Sequence, residues 1–172
     1  MNALLIEEKA AAWLARRDAG NWSDTDQQAL DEVSTRTGAT VVSPNAIFDV
    51  DAQVFAPCAL GGAVNAETLP RLKGRVVAGG ANNQLATPDV GRALFERGML
   101  YAPDYVINGG GIINVAAEIR ALEQGGAYDP SWVETKLSRL VETLGEVLDQ
   151  SAGETRPTNE VADEIAKARI SR

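Results

Sequence analysis

The sequence predicts an α/β domain: a parallel sheet of about four strands flanked by helices, with a helical C-terminal third and a helical N-terminal extension. Three observations predict it. Short, continuous apolar runs rich in β-branched residues recur between Thr40 and Ala102, each closely followed by Gly, Pro, Asn or Asp. Helix-like stretches separate those runs. Beyond Gly111 the apolar spacing is helical to the end of the chain.

Taken in order, Asn2 to Ala19 reads as a helix, with Ile6, Ala10, Trp13 and Leu14 at helical spacing and Asn2 able to cap the start. Gly20 and Asn21 stop it. Ser23-Asp24-Thr25-Asp26 resembles a capping box that opens a second helix bearing Ala29, Leu30 and Val33, with Gly38 as its stop. The runs Thr40-Val41-Val42, Val54-Phe55-Ala56, Arg75-Val76-Val77-Ala78 and Met99-Leu100-Tyr101-Ala102 read as strands buried on both faces. Helices near Pro44 to Phe48, Ala66 to Leu72 and Pro88 to Arg97 lie between them, and alternating β and α units imply right-handed parallel crossovers. A helix then runs from Ile112 to Glu123. Asp129-Pro130 opens the next, with Asp as N-cap and Pro at the first helical position. Val133, Leu137, Leu140, Val141, Leu144 and Leu148 form its apolar stripe. Gly153 to Pro157 reads as a turn, and Thr158 begins a last helix bearing Val161, Ala162 and Ile165.

Composition narrows the function. Lys plus Arg number 16 and Asp plus Glu 24, a net charge of −8 that disfavours nucleic acid and anionic membrane surfaces. Histidine is absent, which removes Ser-His-Asp and Cys-His catalysis and every His-ligated metal site. The single cysteine, Cys58, excludes an internal disulfide and a multi-cysteine zinc site. Glu7, Glu8 and Lys9 interrupt the start where a signal peptide would be apolar, and no run is long enough to span a membrane. A cytoplasmic protein is the expectation.

In an open parallel sheet, ligands bind beyond the carboxyl ends of the strands. The segments following three of the runs are Ala56-Pro57-Cys58-Ala59-Leu60-Gly61-Gly62, Gly79-Gly80-Ala81-Asn82-Asn83-Gln84 and Ala102-Pro103-Asp104-Tyr105-Val106-Ile107-Asn108-Gly109-Gly110-Gly111. All are rich in small residues and carboxamides, and none contains Lys or Arg. Small residues let a flat ligand approach the backbone, and Asn both donates and accepts. That chemistry suits an uncharged hydrogen-bonding partner such as ribose or a carboxamide. Tight turns alone would use the same residues. Cys58 reads as a small hydrophobe rather than a nucleophile, and Gly109-Gly110-Gly111 as a helix entry.

Those three segments, with the flanking Phe55, Ala78, Leu85-Ala86 and Tyr101, resemble the cofactor domain of the glutamate/leucine/phenylalanine/valine dehydrogenases over about residues 24–172. The paired Asn82-Asn83 is most similar to the leucine and phenylalanine branch. The resemblance implies a Rossmann-like fold and NAD-dependent oxidative deamination of an L-amino acid to a 2-oxo acid. By position it implies that Pro57, Cys58 and Ala59 line the dinucleotide and that Asn82 bonds near the nicotinamide ribose. It places Asn108 near the nicotinamide and the substrate carboxylate. It places Asp24 at the adenosine-ribose hydroxyls, where a first-turn helix acid is an equal reading.

The family's glycine fingerprint before Asp24 and its upstream catalytic-lysine domain find no counterpart in this sequence. Lys9, Lys73, Lys136 and Lys167 have no Gly-Gly flank. The expectation is a truncated, Rossmann-like domain that is inactive alone, with NAD binding weakened or lost. Residues 1–23, notably Ile6 to Gly20 followed by Trp22-Ser23, resemble the N-terminal helices of FecR-like sigma-factor regulators, which points to a chimera joined near Asp24. Two arrangements would compensate for the missing first strand: the Thr40 strand pairing directly with the Val54 strand, and the Ile6/Trp13/Leu14 face covering the sheet. Three functions stay open on these grounds: a cofactor domain served by a separate catalytic chain, a non-catalytic remnant, and a sigma-factor regulator. A homo-oligomer through an exposed sheet edge is compatible with each.

Overall fold

The structure, a computed structural model, describes residues 27–171. The expected helix from Asn2 to Ala19, the Ser23 cap, Asp24 and the FecR-like segment lie outside the described residues. The chain divides into two units, Met1–Asp51 and Ala52–Arg172.

In the first unit, helix α1 covers Gln27–Thr37. Gly38 follows in the left-handed region at φ 68°, and its N–H reaches the Ser34 carbonyl at 2.8 Å, so the glycine stop operates as expected. Thr40-Val41-Val42 forms no strand, which corrects the four-strand expectation. β-branched residues favour a strand only where neighbours offer a half-buried pleated surface. Val41 and Val42 are 40% and 36% exposed, and the backbone turns at once, Ala46 N–H bonding to Ser43 C=O at 2.9 Å. The expected Pro44–Phe48 helix is a 3-10 turn at Ala46–Asp49.

In the second unit, β1 (Val54–Phe55), β2 (Val76–Val77) and β3 (Leu100–Tyr101) form a parallel sheet in the order β1-β2-β3. Val54 pairs with Val76 and Val76 with Leu100. Bonds from Val76 N–H to Gln53 C=O (3.1 Å), Ala78 N–H to Phe55 C=O (3.0 Å) and Ala102 N–H to Val77 C=O (2.9 Å) carry the ladder past the paired residues. A 3-10 turn at Leu69–Arg71 lies between β1 and β2. Arg97 clamps it, donating to the carbonyls of Leu69 and Leu72 at 2.5 and 3.1 Å. Helix α2, Pro88–Glu96, connects β2 to β3. Its Pro sits in the first turn, and its Val90 and Leu94 are buried. Val64, Leu69, Leu72, Val77 and Met99 are buried as well.

After β3 comes a one-turn helix α3, Asp104–Ile107, then α4, Gly110–Gln124. Gly109 caps α4, so the triple glycine is the expected helix entry. A Cβ on Gly109 would stand 2.9 Å from Leu140 Cδ1, which explains the small residue there. Helix α5, Pro130–Glu154, starts with the expected cap: Asp129 accepts from Ser131 N–H and Trp132 N–H, both at 3.1 Å. The predicted stripe on α5 is only half right. Leu137 and Val141 are exposed, whereas Val147, outside that stripe, is wholly buried. Val147 packs with Val161 and Ala162 of α6, Thr158–Ile170, and Val106 and Ile165 join them. Among the described residues no helix is long and apolar enough to cross a membrane.

Candidate functional site

The site is built where the backbone leaves β1, β2 and β3. Parallel strands all deliver their following loops to the same edge, so three segments distant in sequence meet there. Glycine permits the closest approach. A Cβ on Gly79 would lie 2.2 Å from the Pro57 carbonyl oxygen, so only glycine lets the β2 loop cross the β1 loop. Pro57 is buried, Cys58 half-buried and Ala59 exposed. Ala81 N–H donates to Pro57 C=O at 2.9 Å, and Gly80 N–H to Cys58 Sγ at 3.3 Å. Cys58 thus fastens one loop to the other as a weak acceptor, in keeping with a packing role.

The two asparagines singled out by the resemblance meet. Asn108 Nδ2 donates to Asn82 Oδ1 at 2.5 Å, joining the β2 and β3 loops through their side chains. Asn82 is exposed and Asn108 half-buried. The structure therefore brings Pro57, Cys58, Ala59, Asn82 and Asn108 to one edge of one sheet. Asp24 lies outside the described residues.

Asn82 and Asn83 divide the labour. Asn83 adopts φ 53°, a left-handed conformation that Asn tolerates better than most residues. That turn sends its N–H to Asp104 Oδ2 at 2.8 Å and its C=O to Gly62 N–H at 2.7 Å. Beyond it, Val64 N–H bonds to Gln84 C=O and Ala86 N–H to Val64 C=O, so the β1 loop is laced to the β2 loop.

Three residues that sequence reasoning passed over hold this arrangement. Gln84 is fully buried, and its Nε2 donates to the carbonyls of Gly79 and, at 3.0 Å, Ala81. Its Oε1 has no partner among the described residues. Asp104 is buried and accepts from Tyr101 Oη at 2.6 Å as well as from Asn83 N–H. Burial, reinforced by the adjacent Asp104, pushes the Tyr101 phenol well above its ordinary value, so it keeps its proton and remains a donor. The corner is anchored to α6: Thr158 Oγ1 donates to Tyr101 C=O at 2.6 Å, and Tyr105 Oη bonds to Asp163 at 2.7 Å.

Chemically, the edge offers uncharged donors and acceptors over a floor of small residues. Asn82 Nδ2 and Asn108 Oδ1 take no protein partner among the described residues, leaving one donor and one acceptor side by side. A ribose hydroxyl or a carboxamide matches that pair. The three loops contain no Lys or Arg, so the edge offers hydrogen bonds without a positive side-chain charge.

Comparison with known proteins agrees with the fold. The chain is 39% identical over 149 residues to a leucine dehydrogenase of Bacillus cereus, covering 87% of this chain and 39% of the relative. It is 38% identical over 150 residues to an L-tryptophan dehydrogenase of Nostoc punctiforme, covering 87% and 41%. The crystal structure of the L-tryptophan dehydrogenase from Nostoc punctiforme superposes with a TM-score of 0.78, covering 86% of this chain and 43% of that one. A hetero-hexameric glutamate dehydrogenase from Thermus thermophilus shares the fold at a TM-score of 0.66 and 20% identity. The chain spans about two fifths of the length of the curated relatives it matches. The sequence model of the Glutamate/Leucine/Phenylalanine/Valine dehydrogenase family matches residues 16–171, and the chain belongs to that family.

Proposed function

We propose that the second unit is the nicotinamide side of an NAD-dependent L-amino-acid dehydrogenase, within a partial dinucleotide-binding domain that extends over residues 24–172. The observation that carries this reading is the Asn82–Asn108 pair at the carboxyl edge of a parallel sheet, with one amino group and one carbonyl oxygen left to a ligand. Asn82 binds the nicotinamide ribose. Asn108 stands at the nicotinamide carboxamide and the substrate carboxylate. The Pro57-Cys58-Ala59 turn closes the side of the ring pocket. NAD, when bound, takes up the hydride released from the amino acid's α-carbon.

This chain's own residues bind and orient. No side chain in the three loops carries the positive charge to polarise a substrate carbonyl, and their one carboxylate, Asp104, is buried and engaged by Tyr101 Oη and Asn83 N–H rather than open to a substrate. Those groups come from another domain or a separate chain, and the second unit alone is a binding module without turnover.

An NADH titration of the purified chain, followed by nicotinamide fluorescence, tests the reading. Saturable binding that weakens about tenfold in Asn82→Ala is expected, the loss of one buried ligand hydrogen bond. A folded chain that binds no NADH at millimolar concentration retires it.

A further inference from the structure

We propose that Asp104 is the positioning residue of the site: it sets the register of Asn82 against Asn108, and so the ligand-facing donor and acceptor. Asp104 holds groups in both loops. Its Oδ2 accepts from the N–H of Asn83, the residue next to Asn82, at 2.8 Å. Its backbone C=O accepts from the N–H of Asn108 itself at 2.9 Å, closing the single turn of α3. One residue thus fixes the backbone on both sides of the carboxamide pair. Its remaining oxygen is held by Tyr101 Oη, and its own N–H lies 3.2 Å from that hydroxyl oxygen. At 6% exposure the Asp104 side chain has little water to replace any of these partners.

The alternatives for fixing the pair are weaker. Asn82 is exposed, and among the described residues its side chain is held by Asn108 alone. Gln84 braces the same loop, but through Gly79 and Ala81, upstream of Asn82. Apart from the Asn82–Asn108 pair itself, the bond that reaches from the β3 corner into the β2 loop near Asn82 is the one Asp104 makes with Asn83 N–H. The single turn of α3 is closed by Val106 and Ile107 N–H on Pro103 C=O and by Asn108 N–H on Asp104 C=O, so a shift of Asp104 that follows loss of its side-chain bonds is passed to Asn108 through the backbone. Small displacements of positioned polar groups weaken binding steeply.

The inference rests on the proposed ligand surface, and two readouts on the whole chain keep the two apart. The first needs no ligand: the side-chain NH₂ signals of Asn108 in a ¹⁵N–¹H spectrum, assigned with Asn108→Ala. The second is NADH affinity, and a thermal melt accompanies both. Asp104→Asn keeps the shape and gives up one acceptor. It is expected to move the Asn108 side-chain signals toward free-amide positions and to weaken NADH about tenfold, in a chain that still folds cooperatively but melts a few degrees lower. Tyr101→Phe, which releases one oxygen of Asp104, is expected to move the same signals less, and it carries the test if Asp104→Asn does not fold. A folded variant whose Asn108 signals stay in place overturns the proposal, as does one that loosens the pair yet binds NADH as wild type does. A wild-type chain that never binds NADH fails the ligand reading alone, and the Asn108 signals then decide the positioning role.

Discussion

Gly79→Ala puts the crossing of the first two loops under direct load. The added Cβ would sit 2.2 Å from the Pro57 oxygen, 2.5 Å from its nitrogen and 2.7 Å from its carbonyl carbon, all backbone atoms that no rotamer change can move. Ordinary contact begins at 3.4 Å, so the two backbones must part by roughly 1 Å. Overpacking of this kind costs about 2 kcal/mol. Parting them also strains the 2.9 Å bond from Ala81 N–H to Pro57 C=O, worth about 1 kcal/mol. The expected loss is about 3 kcal/mol, or roughly 10 °C in melting temperature for a domain of this size. Urea denaturation followed by circular dichroism at 222 nm measures it. Gly111→Ala is the control: its Cβ meets nothing within 4 Å in the first turn of α4, so the change is neutral or stabilising by up to about 1 kcal/mol. A Gly79→Ala chain within about 0.5 kcal/mol of wild type, inside the ordinary range of a surface change, would show that the loops do not cross this closely.

Leu94, wholly buried on α2, should cost about 3 kcal/mol when truncated to Ala, read from the same denaturation curves. Asp129→Ala removes the cap of α5 and should lower the melting temperature at neutral pH. The hydrogen bond from Ser131 and the N–H of Trp132 hold the Asp129 carboxyl below its ordinary value in the folded chain. A depressed folded value means the stabilisation is fully present above the unfolded carboxylate range, about pH 4, and is lost as pH falls through the folded value. Melts of wild type and variant should therefore differ at pH 7 and converge in acid.

The parts of this fold legible in the sequence are those set by local chemistry. Gly38 ends α1, Asp129-Pro130 starts α5, and Gly109 caps α4, each because a few adjacent backbone groups need a particular residue. The runs at Val54, Val76 and Leu100 were legible too, since each is apolar and ends in a glycine- or proline-marked loop. Thr40-Val41-Val42 has the same composition and no strand, because a strand is a property of a pair, and composition says nothing of the partner. On α5 the helical spacing located an apolar stripe, but the face that packs on α6 is rotated toward Val147, a matter of the neighbour's position.

The site divides along the same line. The residues that would touch a ligand were visible as motifs. Those that hold them were not: Asp104 looks like an ordinary helix-start acid after Pro103, and its bond to Asn83 spans 21 residues. Asn83 looked like a twin of Asn82, yet its service is conformational, a left-handed turn that aims its N–H at Asp104. The one available hint was the Tyr101-x-x-Asp104 spacing at a strand exit, where a carboxylate and a phenol leave the sheet together.

The central claim, that the loops after β1, β2 and β3 form one nicotinamide-nucleoside surface, is tested most directly by ¹⁵N–¹H spectra of the chain recorded with increasing NADH. The account predicts that the amides of residues 57–62 and 79–83 and of Asn108 move first and saturate together. Saturating shifts confined elsewhere, for instance to the cationic rim of Lys136, Arg139 and Arg169 on α5 and α6, would contradict it.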